Sequence, residues 1–135
     1  MMLENKTVLV TGATDGLGKL VAIKLAENGA QVLIHGRDRA KGQATLAELR
    51  SATGNLNLDF YCADLAELAQ VRDLAADVTS AHKRLDILIN NAGVGLFAAA
   101  DRQLSCDGLE MHFQVNYLAP FLLTELLLPL IRASA

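Results

Sequence analysis

Thr11-Gly12-Ala13-Thr14-Asp15-Gly16-Leu17-Gly18 places three glycines at the spacing Gly-x-x-x-Gly-x-Gly, directly after the apolar run Thr7-Val8-Leu9-Val10. Glycine permits a tight turn and lets backbone approach a ligand with no Cβ in the way. Free N–H groups where such a turn meets a helix, together with the helix dipole, favour a bound phosphate. A turn of this kind accepts the pyrophosphate of a dinucleotide, and Gly12, Thr14, Asp15, Gly16, Leu17 and Gly18 are its candidate contacts. The competing reading is an ordinary glycine-rich turn, so the assignment needs support from elsewhere in the chain.

That support comes from two later motifs. Asp64 follows the run Leu58-Asp59-Phe60-Tyr61-Cys62, and Asn90-Asn91-Ala92-Gly93 closes the run that begins at Leu85. Taken in order with Thr11 and the glycine spacing, they resemble the short-chain dehydrogenase/reductase family. The resemblance implies that Asp64 accepts from the adenine amino group and that Leu65 adds a backbone contact. It also implies that Asn91, Ala92 and Gly93 line the adenosine ribose and the approach to the nicotinamide. Asp64 is equally placed to cap a helix beginning at Leu65, and the two roles are compatible.

The second run ends Ile34-His35-Gly36-Arg37. Proteins selective for NAD usually carry a carboxylate there to hold the ribose 2′-hydroxyl. Position 36 has none, and Arg37 offers a permanently charged planar fork suited to a 2′-phosphate. NADP is the expected cofactor, with NAD less favoured. Thr14 adds a hydroxyl, whereas Asp15 and Asp38 bring negative charge that weakens selectivity. The other reading of Arg37, Arg39 and Lys41 is a solvated first helical turn.

Reduction of a carbonyl by hydride transfer needs a proton donor beside the developing alkoxide. The family resembled uses a tyrosine followed four residues on by a lysine. Here Tyr61 is followed at that distance by Leu65 and Tyr117 by Phe121, and no residue stands for the family's catalytic serine. Of its catalytic set only Asn116 remains, whose backbone, by resemblance, helps to hold a water that links the active-site lysine to solvent. Asn116 is also readable as a buried polar residue at a helix bend, because Pro120 lacks the N–H that would bond back to it. His112 has no companion histidine or carboxylate at metal-ligand spacing, so no metal is expected.

Positioning these residues requires alternating strands and helices. Runs 7–10, 31–34, 58–62 and 85–90 read as strands, the last apolar on both faces as a mid-sheet parallel strand should be. Leu17, Leu20, Val21, Lys24, Leu25 and Glu27 follow helical spacing up to Gly29. Ala40, Ala44, Leu46 and Leu49 mark a second helix ending near Gly54. Leu68, Val71, Leu74, Ala75 and Val78 mark a third. A long helix over 107–132 starts with Asp107 as N-cap and Glu110 three residues later. The resemblance implies an α/β fold, a Rossmann-type doubly wound parallel sheet with strands in the order 3-2-1-4 plus the long helix, incomplete relative to the family.

Hydrophobic residues make up 52% of the 135 residues and charged ones 20%, enough apolar side chain for a packed core. Net charge is −3 with scattered cations, which disfavours nucleic acid and anionic membranes as partners. Cys62 and Cys106 match no metal spacing and read as reduced thiols, Cys106 as packed or idle rather than reactive. The start Met1-Met2-Leu3-Glu4-Asn5-Lys6 lacks the apolar stretch of a signal peptide, so none is expected. The apolar stretch Tyr117 to Ile131 falls short of the ~20 residues of a bilayer span, so a cytoplasmic location is expected.

The long helix is apolar on more than one face, which points to a homo-oligomer through 107–132, as the family resemblance also implies. The expectation is one domain over 1–135, the cofactor half of an NADP-dependent oxidoreductase acting on a small-molecule alcohol or carbonyl. That domain is truncated before the catalytic serine and Tyr-x-x-x-Lys and is inactive alone. The alternative is an NADP-binding sensor or scaffold without chemistry. Asp107-Gly108-Leu109-Glu110 with Asn116 resembles the retinol-dehydrogenase-like branch, whose members accept lipophilic carbonyls. Gly95 to Leu104, where part of the substrate loop would lie, carries only small, mixed side chains.

Overall fold

The computed structural model describes residues 2–95 and 101–135; half of the expected substrate-loop stretch Gly95 to Leu104, residues 96–100, lies outside them. Four parallel strands, β1 (Thr7–Val10), β2 (Gln31–Gly36), β3 (Leu58–Cys62) and β4 (Ile87–Ile89), form one sheet in the order β3-β2-β1-β4. Helices α1 (Gly16–Glu27), α2 (Arg39–Thr53) and α3 (Leu68–Ala81) join them. The final helix, Met111–Ser134, is continuous but changes pitch. It opens as α4 (Met111–Phe113), widens to a π-helical turn over Gln114–Leu118, and continues as α5 (Ala119–Ser134).

Side chains alternate across a strand, so a sheet covered on both faces needs apolar residues at consecutive positions. Val8 and Val10 of β1 and Val32 and Ile34 of β2 point to one face, where they pack with Ala22, Ala26, Leu46 and Leu49 of α1 and α2. Leu9 and Leu33 point to the other, where Val71, Leu74 and Val78 of α3 meet Leu123 and Leu127 of α5. Burying each such aliphatic side chain contributes roughly 1.5–3 kcal/mol relative to leaving it in water. The sheet is therefore doubly wound, in the expected strand order.

Three local expectations are corrected. The buried face of α1 is Gly18, Ala22 and Ala26, whereas Leu17 and Leu20 are 69% and 61% exposed. Small residues at i, i+4 and i+8 let the helix backbone lie close to the sheet, so Leu17 and Leu20 are turned outward while Ile23 and Leu25 pack at the flanks. In α2 the phase moves similarly: Gly42, Thr45, Leu46 and Leu49 are buried, while Ala40 and Ala44 are exposed. β4 is shorter than its apolar run and pairs only with β1, so it is an edge strand among the described residues rather than a central one.

The start of the last helix also differs from expectation. Gly108 takes φ +75, Leu104 bridges Glu110, and Ser105 N–H donates to the Leu109 carbonyl, so the chain turns back before the helix begins. Glu110 is the cap, accepting from the N–H groups of His112 and Phe113. Asp107 reaches sideways instead: its Oδ2 accepts from Leu68 N–H at 2.8 Å, at the start of α3, and from Gln114 Nε2 at 2.8 Å. Cys106 is exposed, not packed.

Candidate functional site

The carboxyl ends of the strands enclose a cavity of about 470 Å³. Its walls take Gly12, Thr14 and Asp15 from the β1–α1 turn, His35, Gly36 and Arg37 from the end of β2, and Ala63 to Ala66 after β3. Asn91, Ala92, Gly93 and Val94 after β4, with Met111 and Val115 of the last helix, close it. Nine of the thirteen expected residues thus share one cavity: Gly12, Thr14, Asp15, Arg37, Asp64, Leu65, Asn91, Ala92 and Gly93. Gly16 and Leu17 are exposed at the start of α1, Gly18 is buried beneath the turn, and Asn116 lies outside the cavity wall.

The turn is held by its neighbours. Gly12 has φ +61, and a Cβ there would lie 2.8 Å from the Ala92 Cα. A Cβ at Gly18 would fall 2.3 Å from both the Gly12 carbonyl oxygen and Asn91 Nδ2, which is the close approach that position requires. Asn91 Nδ2 donates to the carbonyls of Thr11 and Gly12 at 3.1 and 3.0 Å. The Thr11 hydroxyl accepts from the N–H groups of Asn91 and Ala92, each at 3.0 Å. Asn91 therefore ties the end of β4 to the turn with both of its side-chain N–H groups, a role the motif did not reveal.

The sequence predicts bare amides along the turn, and the structure corrects this: three of them are taken by protein groups. Gly12 N–H donates to His35 Nδ1, Ala13 N–H to the His35 carbonyl, and Gly16 N–H to Asp15 Oδ1. Among the described residues no protein group accepts from the N–H of Leu17 or Gly18. The open N–H groups thus lie in the first turn of α1, where they and the helix dipole would favour an anion.

The charges around the end of β2 sort themselves. Asp15 Oδ2 pairs with Lys41 Nζ at 2.9 Å, and that ammonium, followed by the Gly16 amide, holds the Asp15 carboxyl below its ordinary range. Asp38 caps α2, accepting from Lys41 N–H at 2.9 Å. Arg37 on the cavity wall forms no ion pair among the described residues. Gly36 packs so closely on Thr14 that a Cβ would lie 2.6 Å from its methyl group, which opposes a larger residue there.

Asp64 is not a helix cap. Its Oδ1 accepts from Ala66 N–H at 2.9 Å, and α3 begins only at Leu68, after Glu67. Asn116 sits inside the π-helical turn and is exposed rather than buried. Its Oδ1 accepts from Val94 N–H at 2.7 Å and its Nδ2 donates to the Val94 carbonyl at 2.9 Å. The π-turn follows from Pro120, whose missing N–H interrupts the regular pattern, and Ala119 N–H reaches back to the Gln114 carbonyl.

Sequence reasoning missed His35, Val94, Met111 and Val115. His35 alone left a signal: a polar side chain ending an apolar strand must find partners if it is buried.

The sequence profile described as "short chain dehydrogenase" matches residues 6–135. The chain belongs to the short-chain dehydrogenase family. Within it the chain is retinol-dehydrogenase-like: it is 42% identical to human retinol dehydrogenase 13 over 98% of this chain and 39% of that protein. Mouse polyprenol dehydrogenase is 43% identical over 96% of this chain and 38% of that protein. Among solved structures, the Pseudomonas aeruginosa RhlG/NADP active-site complex superposes with a TM-score of 0.84 at 38% identity, covering 98% of this chain and 50% of that one. A metagenomic short-chain oxidoreductase in complex with NADP gives 0.84 at 33% identity over 98% and 59%. This short-chain dehydrogenase chain thus spans about two fifths of the length of those two curated relatives.

The expected cytoplasmic location is overturned. It rested on the stretch Tyr117 to Ile131, yet the helix runs 24 residues, Met111–Ser134, and by length and composition it suffices to cross a bilayer. Core helices pass the same test, and Leu123 and Leu127 of this one are buried against the sheet. The weightier finding is the relatives, named for retinol and polyprenol, alcohols that partition into lipid.

Proposed function

We propose that this chain is the cofactor-binding part of an NADP-dependent oxidoreductase that moves hydride between NADP(H) and a lipophilic alcohol or its carbonyl. The observation that carries the reading is the cavity where four strand ends converge, with Arg37 on its wall and both nearby carboxylates engaged elsewhere. Asp64 and Leu65 would hold the adenosine, Arg37 would meet the 2′-phosphate, and the first amides of α1 would take the pyrophosphate. Bound NADP(H) would supply the hydride; this chain's residues bind and orient it. The two NADP complexes among the similar structures support that cofactor, and the retinol and polyprenol relatives support the substrate class.

No Tyr-x-x-x-Lys occurs in the 135 residues, so proton donation belongs, in this reading, to a part of the whole protein outside them. By itself the piece 1–135 binds without turnover. Calorimetric titration with NADPH and NADH is the test: tighter binding of NADPH is expected, and equal or absent binding of both refutes the assignment. NADPH oxidation by the purified chain would refute the division of labour.

The aromatic row on the last helix supports self-association. Phe113, Tyr117 and Phe121 are 48%, 60% and 55% exposed and stack in sequence at centroid distances of 5.5 and 6.4 Å. An exposed apolar row of this kind fits an interface, in this reading with a second copy.

A further inference from the structure

His35 is 2% exposed, lines the cavity and touches three strand ends at once. Its Nδ1 accepts from Gly12 N–H at 3.2 Å, and its Nε2 lies 2.9 Å from the Ala63 carbonyl oxygen. An amide can only donate and a carbonyl can only accept, so these two partners require the neutral ring with its proton on Nε2. The same residue's backbone carbonyl accepts from Ala13 N–H at 2.9 Å. The β1–α1 turn is therefore fastened to β2 twice, once through the main chain and once through the imidazole.

We propose that His35 is a positioning residue for dinucleotide binding: the Ala63 carbonyl orients the ring, and the ring's Nδ1 holds the Gly12 amide, which sets the β1–α1 turn against the ends of β2 and β3. The inference rests on reading this cavity as the dinucleotide site. A second proton on the ring would face Nδ1–H against Gly12 N–H, two donors with no acceptor between them, and the turn would have to give. Burial already disfavours that charged form and pushes His35 below its ordinary 6.5, against the opposing pull of the Ala63 carbonyl and of Asp64. The charged groups sharing its cavity are Arg37 after β2, Asp15 at α1 and Asp64 after β3; the last helix brings only Met111 and Val115. Turn shape, and with it affinity, thus depends on a neutral His35.

The test compares the wild-type chain with His35→Asn and His35→Ala by calorimetric titration from pH 8 to 5. Asn keeps an acceptor near the Nδ1 position and cannot titrate. NADH, which lacks the 2′-phosphate and its own titration, is run beside NADPH. The expected result is wild-type affinity that falls below pH 6.5 more steeply than that of His35→Asn, with both ligands. His35→Ala should bind on the order of tenfold more weakly at pH 8, the effect of one lost buried hydrogen bond. Nitrogen-15 shifts of the imidazole should report the Nε2–H form, and circular dichroism at each pH establishes that the chain is folded. Identical pH profiles for wild type and His35→Asn, or an Nδ1–H ring, overturn the proposal while the dinucleotide reading stands. A wild-type chain that binds neither nucleotide overturns both.

Discussion

The side-chain amide of Asn116 pairs with both backbone polar groups of Val94, taking its N–H at 2.7 Å and giving to its carbonyl at 2.9 Å. The pair fastens the π-helical turn of the last helix to the segment that leaves β4, and a Cβ at Gly93 beside it would sit 3.3 Å from Asn116 Oδ1, so the amide would have to give by a few tenths of an ångström. A residue in a π-turn that reaches the wall of a cavity is a common arrangement at functional sites.

Asn116→Ala removes both bonds. The expected loss of stability in urea denaturation is on the order of 1–2 kcal/mol, with faster amide exchange at Val94. Asn116→Asp keeps the acceptor for Val94 N–H but sets a carboxylate against the Val94 carbonyl, so it should lose as much or more. Unchanged exchange at Val94 in both variants would show that the contact does not hold the segment.

Arg37→Ala should weaken NADPH binding by roughly ten- to a hundredfold, the scale of a lost charged hydrogen bond, and leave NADH within about twofold. Lys41→Ala tests the neighbouring pair. Without its ammonium, Asp15 presents an uncompensated carboxylate to the cavity, so NADPH should bind more weakly than to wild type and the NADPH-to-NADH preference should shrink. Calorimetry with both nucleotides reads out each variant.

Gly18→Ala drives a methyl group into the Gly12 carbonyl and Asn91 Nδ2. Backbone and a doubly bonded side chain cannot both yield cheaply, so a cost of about 1–3 kcal/mol is expected. Binding of NADPH should fall with it, because the displaced atoms belong to the turn. Thermal unfolding and titration of the same sample separate the two effects.

Glu110 carries the pH prediction. The Phe113 amide, then the His112 side chain and amide, hold its carboxyl from an ordinary 4.5 down to about 2. A depressed carboxylate stabilises the fold above its unfolded value and loses that contribution as pH falls through the folded one. Helical ellipticity should therefore decline between about pH 4.5 and 2, and Glu110→Gln should be less stable at neutral pH with a flatter profile in that window. A profile equal to that of wild type would remove Glu110 as the working cap.

Replacing Phe113, Tyr117 and Phe121 together by serine should move the chain toward monomer in sedimentation, with the helical signal retained. A wild-type chain that sediments as a monomer at all concentrations would dispose of the interface.

The amino-acid sequence by itself determined the class of fold, the strand order through the family it resembles, and the edge of the sheet where the candidate residues gather. These follow from local facts: alternation of apolar runs with helical spacing, and three motifs each placed just after a strand. The local reading failed where apolar size was taken for burial. In α1 Leu17 and Leu20 face water and Gly18, Ala22 and Ala26 face the sheet, because what decides the inner face is how closely backbone can approach backbone.

Tertiary structure alone decided the partners of the polar groups. Asp107 serves the start of α3 and not its own helix, Asn91 locks the turn from the far strand, and His35 bridges Gly12 to Ala63. Each joins segments distant in the chain, and hydrogen bonds of a few ångströms depend on strand register and helix approach that no spacing of residue types encodes. The types and order of the residues were enough to point to a nicotinamide cofactor; which amides of the turn remain without a protein partner was settled only once the chain had packed.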